Sequence, residues 1–111
     1  MRILVVSDTH GDLRSLIKAV DAQRKAEIIV HCGDGEEQQR FLKDNYKGKM
    51  IVAVRGNCDW NSFFPSKEIF KACGKTIFVT HGHLYDAKSG LYRITSAARE
   101  AGADILLFGH T

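Results

Sequence analysis

The chain is poor in the features that mark several protein classes. No apolar run approaches the ~18 to 20 residues that a membrane span needs, so nothing in it is expected to cross a bilayer. Its three cysteines, Cys32, Cys58 and Cys73, are odd in number, widely spaced and form no C-x-x-C pair. That pattern indicates neither a disulfide framework nor a zinc ribbon, and free thiols are the default. Met1-Arg2-Ile3 leads straight into an apolar strand, without the basic start, separate apolar region and small-residue cleavage site of a secretory leader. The expected location is therefore cytoplasmic. Sixteen Lys and Arg against 13 Asp and Glu leave a formal charge of only +3, and the basic residues are scattered, so a nucleic-acid stripe is not indicated.

What is there fits one domain with one core: 111 residues, 44% of them hydrophobic. Arg2 to Ser7 is a short apolar run rich in β-branched residues and reads as a strand buried on both faces. Beyond Asp12, a candidate N-cap, Leu13, Leu16, Ile17 and Val20 recur at helical spacing and predict an amphipathic helix to about Arg24. The pattern repeats: Glu27 to His31 as a strand, Glu36 to Asp44 as a weaker helix, Met50 to Val54 as a third strand. That alternation predicts a parallel sheet. After the single proline, Pro65, the rhythm changes. The runs 69–72 and 76–79 flank Cys73-Gly74 and predict a hairpin, one antiparallel step. Leu91, Ile94, Ala98 and Ala101 then mark a helical face stopped by Gly102, and Ile105 to Phe108 is a last apolar strand.

Polar clusters follow the strands: Asp8-Thr9-His10-Gly11, Gly33-Asp34-Gly35, Gly56-Asn57-Cys58-Asp59, His81-Gly82-His83 and Gly109-His110-Thr111. Ligands of open α/β sheets bind beyond the carboxyl ends of the strands, so these side chains are expected on one rim although about a hundred residues separate the first from the last. Two carboxylates, an amide oxygen and several imidazoles, with no thiolate in a clear ligand position, suit Mn, Fe, Zn, Ni or Co rather than Ca or Cu(I). Asp34 is the best candidate for a bridge, because a carboxylate between two cations ~3.5 to 4 Å apart offsets their repulsion, and a hydroxide between them would be the nucleophile. Two divalent cations less Asp8, Asp34 and one hydroxide leave a net charge of about one, which matches a singly anionic phosphodiester.

In this order, D-x-H, G-D, G-N-x-D, H-G-H and a terminal G-H resemble the calcineurin-like metallophosphoesterases, and more narrowly the small YfcE-type phosphodiesterases of bacteria and archaea, in which G-N-C-D and T-H-G-H-L are typical. The resemblance runs from Asp8 to the last residue. It implies an αββα sandwich that holds two divalent metal ions, manganese first among them, and hydrolyses a small phosphodiester. Asp8 and His10 would hold the first metal, Asp34 would bridge, Asn57, His81 and His110 would hold the second, and His83 would serve catalysis by contacting the phosphate or a water.

Two departures qualify it. Many members carry His where this chain has Cys58, a poor acid for the leaving oxygen at neutral pH, so good leaving groups or another donor are expected to be needed. The family pattern G-H-x-H is also incomplete after Thr111, and later strands of the second sheet are missing. The expectation is a fragment cut after its last parallel strand, with a weakened first metal site; the alternative is a neighbouring copy that covers the bare sheet face and supplies ligands, a homo-oligomer.

Blander readings apply to single residues. Asp8, Asp34 or Asn57 alone would pass for turn formers and helix caps. His31 has no motif partner and reads as a hydrogen-bonded core residue. Cys58 reads as a small inert hydrophobe, and Trp60, Phe63 and Phe64 as packing at least as readily as a pocket wall. A different class also uses the fold: the superfamily includes a retromer scaffold subunit with eroded ligands, whereas here six of the expected positions are filled.

Overall fold

The computed structural model describes residues 1–60 and 62–110; Thr111, the last member of the terminal Gly-His-Thr cluster, lies outside them. The first half is built on three parallel strands, β1 (Ile3–Val6), β2 (Ile28–His31) and β3 (Met50–Ala53), in the order β1-β2-β3. Helix α1 (Leu13–Ala22) starts at Asp12, whose carboxylate accepts the Ser15 N–H at 3.1 Å, and helix α2 is Glu36–Asn45. β2 is buried along its whole length, and its alternation assigns the two faces. Ile29 turns to the helices, meeting Leu16 and Val20 of α1 and Leu42 of α2, while Ile28 and Val30 turn the other way onto Val52, Ile77 and Val79.

Those last two residues belong to a second sheet of β4 (Lys67–Ala72), β5 (Lys75–Thr80) and β6 (Ile105–Leu107), in which β4 is antiparallel and β6 parallel to β5. Ala72 pairs with Lys75 across a two-residue turn in which Cys73 (φ 50°) and Gly74 (φ 76°) are both left-handed, the geometry of a type I′ hairpin. Helix α3 (Tyr92–Glu100) ends as predicted at Gly102, with φ 72°. The Gly102 N–H donates to Arg99 and the Ala103 N–H to Ala98, which satisfies carbonyls the helix end would leave free. The layers run helices, sheet, sheet, helix, the expected αββα arrangement, and the larger apolar cluster fills the space between the sheets. No helix among the described residues is long and apolar enough to cross a membrane.

One strand departs from expectation. β1 is not buried on both faces: it is an edge strand, and Val5 is 43% exposed although it points with Ile3 toward the second sheet.

Ile29, fully buried where both helices meet the central strand, is the position at which truncation should be felt most. Ile29→Ala is expected to cost about 2 to 5 kcal/mol in urea unfolding monitored by circular dichroism. A loss under about 1 kcal/mol would mean that the helical layer is not packed as described.

Candidate metal centre

The strand ends bring the polar clusters together as the motif order predicts, and the backbone pays in strained conformations for doing so. Among the described residues six non-glycine positions have positive φ, and four of them are Asp8 (55°), His10 (43°), Asp34 (61°) and His110 (57°). Left-handed backbone is unusual for such residues, and its concentration on the predicted ligands is a mark of a functional site. Main-chain bonds hold the loops there: the Asp8 N–H donates to the Gly33 carbonyl at 2.8 Å, the His10 N–H to that of Asp34 at 3.0 Å, and the Gly109 N–H to that of His81 at 3.1 Å. Two glycines let the loops close. A Cβ on Gly56 would sit 2.1 Å from Asp34 Oδ1, and one on Gly33 would sit 2.7 Å from His81 Nδ1.

His81 lies at the focus. It is fully buried, and its Nδ1 is 2.7 Å from the Cys32 carbonyl, which can only accept, so Nδ1 carries the proton and ties the second sheet to the first. The lone pair of Nε2 then faces Asn57 Oδ1 at 3.1 Å, Asp34 Oδ2 at 3.2 Å and Asp8 Oδ1 at 3.8 Å. Four electron-rich atoms converge with no proton between them, an arrangement that a cation relieves. His10 Nε2 adds a fifth, 3.7 Å from Asp8 Oδ1 and 3.8 Å from Asp34 Oδ2. This donor set fits divalent metal ions of the borderline class.

Two groups are close enough for each to hold one ion, with ligand atoms within 4.8 Å of one another: Asp34, His81 and His110, and Asp34, His10 and Cys58. Asp34 is common to both, while Asp8 lies between His10 and His81. A cavity of about 440 Å³ opens over them, lined by Asp8, His10, Asp34, Asn57, Cys58, Lys88 and His110. All six predicted metal ligands therefore meet at one rim. His83 stands beside it, its ring 5.5 Å from His81 and 6.1 Å from His110, and lines a neighbouring cavity instead.

Electrostatics follow from this crowding. Burial pushes the Asp8 carboxyl up, but the Ser7 hydroxyl and the imidazoles of His81 and His10 outweigh it and hold its pKa below the usual value. Burial and then His81 depress both His83 and His110, which favours neutral imidazoles. Partial desolvation first, and then the negative charge of Asp34 beside it, raise the pKa of the Cys58 thiol although the residue is exposed. Cys58, read from the sequence as an inert small hydrophobe with a redox or metal role as the lesser option, is exposed, and its sulfur lies within 4.8 Å of ligand atoms of His10 and Asp34.

Three supporting features lie beyond the predicted ligands. Asp59 accepts four backbone N–H groups: Asp34 and Gly56 on Oδ2, both at 2.8 Å, and Gly35 and Glu36 on Oδ1 at 3.0 and 3.1 Å. It caps α2 from a distant loop and fixes the Asp34 loop against the Asn57 loop. His31 anchors the His10 loop. Its Nδ1 accepts the Gly33 N–H at 3.1 Å and the Gln39 amide at 3.0 Å, so Nε2 donates to Thr9 Oγ1 at 3.0 Å. The Thr9 hydroxyl donates in turn to Gln38 Oε1, which also receives the Gly11 N–H, each at 3.0 Å. The sequence reading of His31 as a hydrogen-bonded core residue agrees with this. Lys88, on the cavity wall, had no motif to announce it.

Fold and site together define a four-layer α/β protein whose two sheets carry a cluster of carboxylates and imidazoles on one rim. The chain belongs to the calcineurin-like phosphoesterase superfamily, whose domain matches residues 1–111. It is 35% identical to "Probable metallophosphoesterase YsnB" of Bacillus subtilis over 115 aligned positions, covering 100% of this chain and 64% of that one. A predicted phosphoesterase of Streptococcus pneumoniae has the same fold with a TM-score of 0.78 and 31% identity, over 97% of this chain and 60% of that one. Vps29 of Entamoeba histolytica, crystallised with zinc, superposes with a TM-score of 0.76 at 21% identity, over 99% of this chain and 64% of its own, and at that identity the likeness concerns the fold alone. The chain thus spans less than two thirds of the length of each of these proteins.

The buried His31 gives the centre's support a pH signature. Burial pushes its pKa down to about 4, against the opposing pull of Asp59, from 6.5 in the unfolded chain. Between those values the unfolded state binds more protons, so stability is complete above pH 6.5 and falls as pH drops toward 4, by roughly 3 kcal/mol in all. Urea midpoints measured from pH 7 to 4 should show this loss, and His31→Gln should flatten its steepest part. An unchanged slope in the variant would contradict the assignment.

Proposed function

We propose that the protein hydrolyses phosphodiesters with two divalent cations at this rim. Asp8, His10 and Asp34 hold one, and Asp34, Asn57, His81 and His110 hold the other. The observation that carries this reading is that the Asp34 carboxylate belongs to both ligand groups, one beside His10 and one beside His81 and His110. Membership of the superfamily supports it. Two bound cations supply the Lewis acidity that makes water a nucleophile at neutral pH and draws charge from the phosphoryl oxygens. Manganese is the first choice of metal, with nickel, zinc, iron or cobalt as alternatives.

The chain's own groups do the rest. The Nδ1–H of His81, held by Cys32, fixes the ring so that Nε2 presents its lone pair to the rim. Asp34 is held from both sides: Oδ1 accepts the Cys58 N–H at 2.8 Å, which leaves Oδ2 toward His81 and His10. Lys88 adds a positive charge at the cavity wall where an anionic substrate enters. His83, its pKa lowered by burial and its imidazole neighbours, would contact the phosphate or a water. Its Nδ1 is buried with no hydrogen-bond partner among the described residues. Cys58, with its raised pKa, is a weak acid for the leaving oxygen, and substrates with good leaving groups should be favoured.

Hydrolysis of an activated aryl phosphodiester should therefore require added Mn²⁺ and disappear with chelator, and the diester should be turned over faster than the matching monoester. Undiminished turnover in excess chelator would sink the metal mechanism, and a monoester hydrolysed an order of magnitude faster would sink the charge argument. A scaffold without activity would bind metal weakly and fail both assays.

The two sides of Asp34 are separable. Asp34→Asn should weaken both metals in calorimetric titration, by more than the roughly 10 to 100-fold typical of an outer-shell change, whereas Asn57→Ala should mainly weaken the metal near His81. Equal losses at both sites in the Asn57 variant would show that the bridge is misassigned.

A further inference from the structure

The loop between β3 and β4 carries two large rings that the core does not use. Trp60 is 87% exposed and Phe63 96% exposed, so neither packs as the sequence reading allowed. A single exposed ring needs no explanation, but Trp60 is placed in a definite setting. It forms a wall of a second cavity of about 230 Å³, with Arg55, Gly56, Asn57, Asp59 and His83 as the other lining residues. Asn57 also lines the metal cavity, so the two spaces adjoin at that side chain. A group attached to a phosphate held at the rim would reach this space directly.

The lining has a consistent chemistry. Trp60 offers a flat aromatic face, Arg55 a permanent cation with planar donors, and His83 an imidazole ring beside them. The carboxylate of Asp59 contributes little to a ligand, because four backbone N–H groups already occupy it. The walls are also anchored. The Arg55 N–H donates to the Pro65 carbonyl at 2.9 Å, closing the loop at its base, and Gly56 is held by Asp59. At about 230 Å³ the space is smaller than the ~300 to 1,000 Å³ of a whole drug-sized pocket, which suits one ring system and not a complete nucleotide. A flat ring with hydrogen-bond acceptors on its edge satisfies indole face, guanidinium and imidazole together; an aliphatic or cationic group does not.

We propose that this cavity is the subsite for a nucleobase carried by the phosphodiester, stacked on Trp60 with an acceptor edge toward Arg55. The inference rests on the phosphodiester reading of the adjoining centre, and it adds the class of substrate: a diester with a nucleoside on one side.

Trp60 is the chain's one tryptophan, so its fluorescence reports on the subsite without interference. The full chain with Mn²⁺, excited where tyrosine does not absorb, is titrated with adenosine 5′-monophosphate and with ribose 5-phosphate, which differ only in the base. Saturable quenching by the adenine compound at concentrations at least about tenfold below those ribose 5-phosphate needs is expected from stacking on one aromatic side chain. Absence of quenching, or equal midpoints for the two, overturns the subsite. In parallel, kcat/KM is measured for thymidine 5′-(4-nitrophenyl phosphate) and methyl 4-nitrophenyl phosphate. Wild type should prefer the nucleoside diester, Trp60→Ala should lose roughly tenfold of that preference, and Trp60→Phe should keep most of it. Hydrolysis of both diesters at equal efficiency without quenching removes the subsite and leaves the hydrolase reading intact. Selective quenching with neither diester hydrolysed removes the hydrolase reading and leaves the base-binding site.

Discussion

The Asp59 carboxylate and the four backbone N–H groups it accepts hold the rim together. Two of those donors, Asp34 and Gly35, lie in the loop after β2, and Gly56 lies in the loop after β3. Neighbouring parallel strands bring these loops side by side but do not fix their relative height; a single buried anion bonded to both does. Charge-assisted bonds of this kind are the strong ones, and four on one side chain can offset the cost of the left-handed backbone at Asp34. With Asp34 fixed, its Oδ1 takes the Cys58 N–H and its Oδ2 faces His81 and His10.

A rim assembled in this way is electrostatically incomplete by itself. His81 donates inward to Cys32, so the atom it turns to the cavity is a lone-pair nitrogen among the oxygens of Asp8, Asp34 and Asn57. Protein groups do not gather in this manner to stabilise one another. The same crowding depresses His83 and His110, which leaves imidazoles available as ligands and acceptors at neutral pH. Structure and chemistry therefore point the same way: the fold stores unsatisfied acceptors where positive charge is to be bound, and it stores them next to a cavity walled by an aromatic ring and a guanidinium.

Much of this could be read from the chain because the information is local. Apolar runs with helical or alternating spacing set β2, α1 and the hairpin, and Cys73-Gly74 and Gly102 mark the turns they occupy. The ligands could be read because each directly follows a strand, and parallel strands align their ends. What could not be read depends on which loops and layers meet in space. Asp59 sits in a recognisable motif, but three of its four partners are 23 to 25 residues away in another loop. The chain from Gln39 through His31 to Thr9 and Gln38 joins two strand ends and a helix, and no spacing rule encodes it. The exposure of Val5 depends on how far one sheet extends over the other, and that of Trp60 on its standing outside the core, neither of which is a property of local hydrophobicity.

The proposed function has one carboxylate, Asp34, shared by two cations. Crystals grown with Mn²⁺ and measured at its absorption edge test this directly. Two anomalous peaks are expected, both within coordination distance of Asp34, one on the His10 side and a stronger one beside His81 and His110, where the ligating imidazole of His81 is fully buried and held in place. Peaks that do not touch Asp34, or a single ion bound away from this rim, would contradict the account.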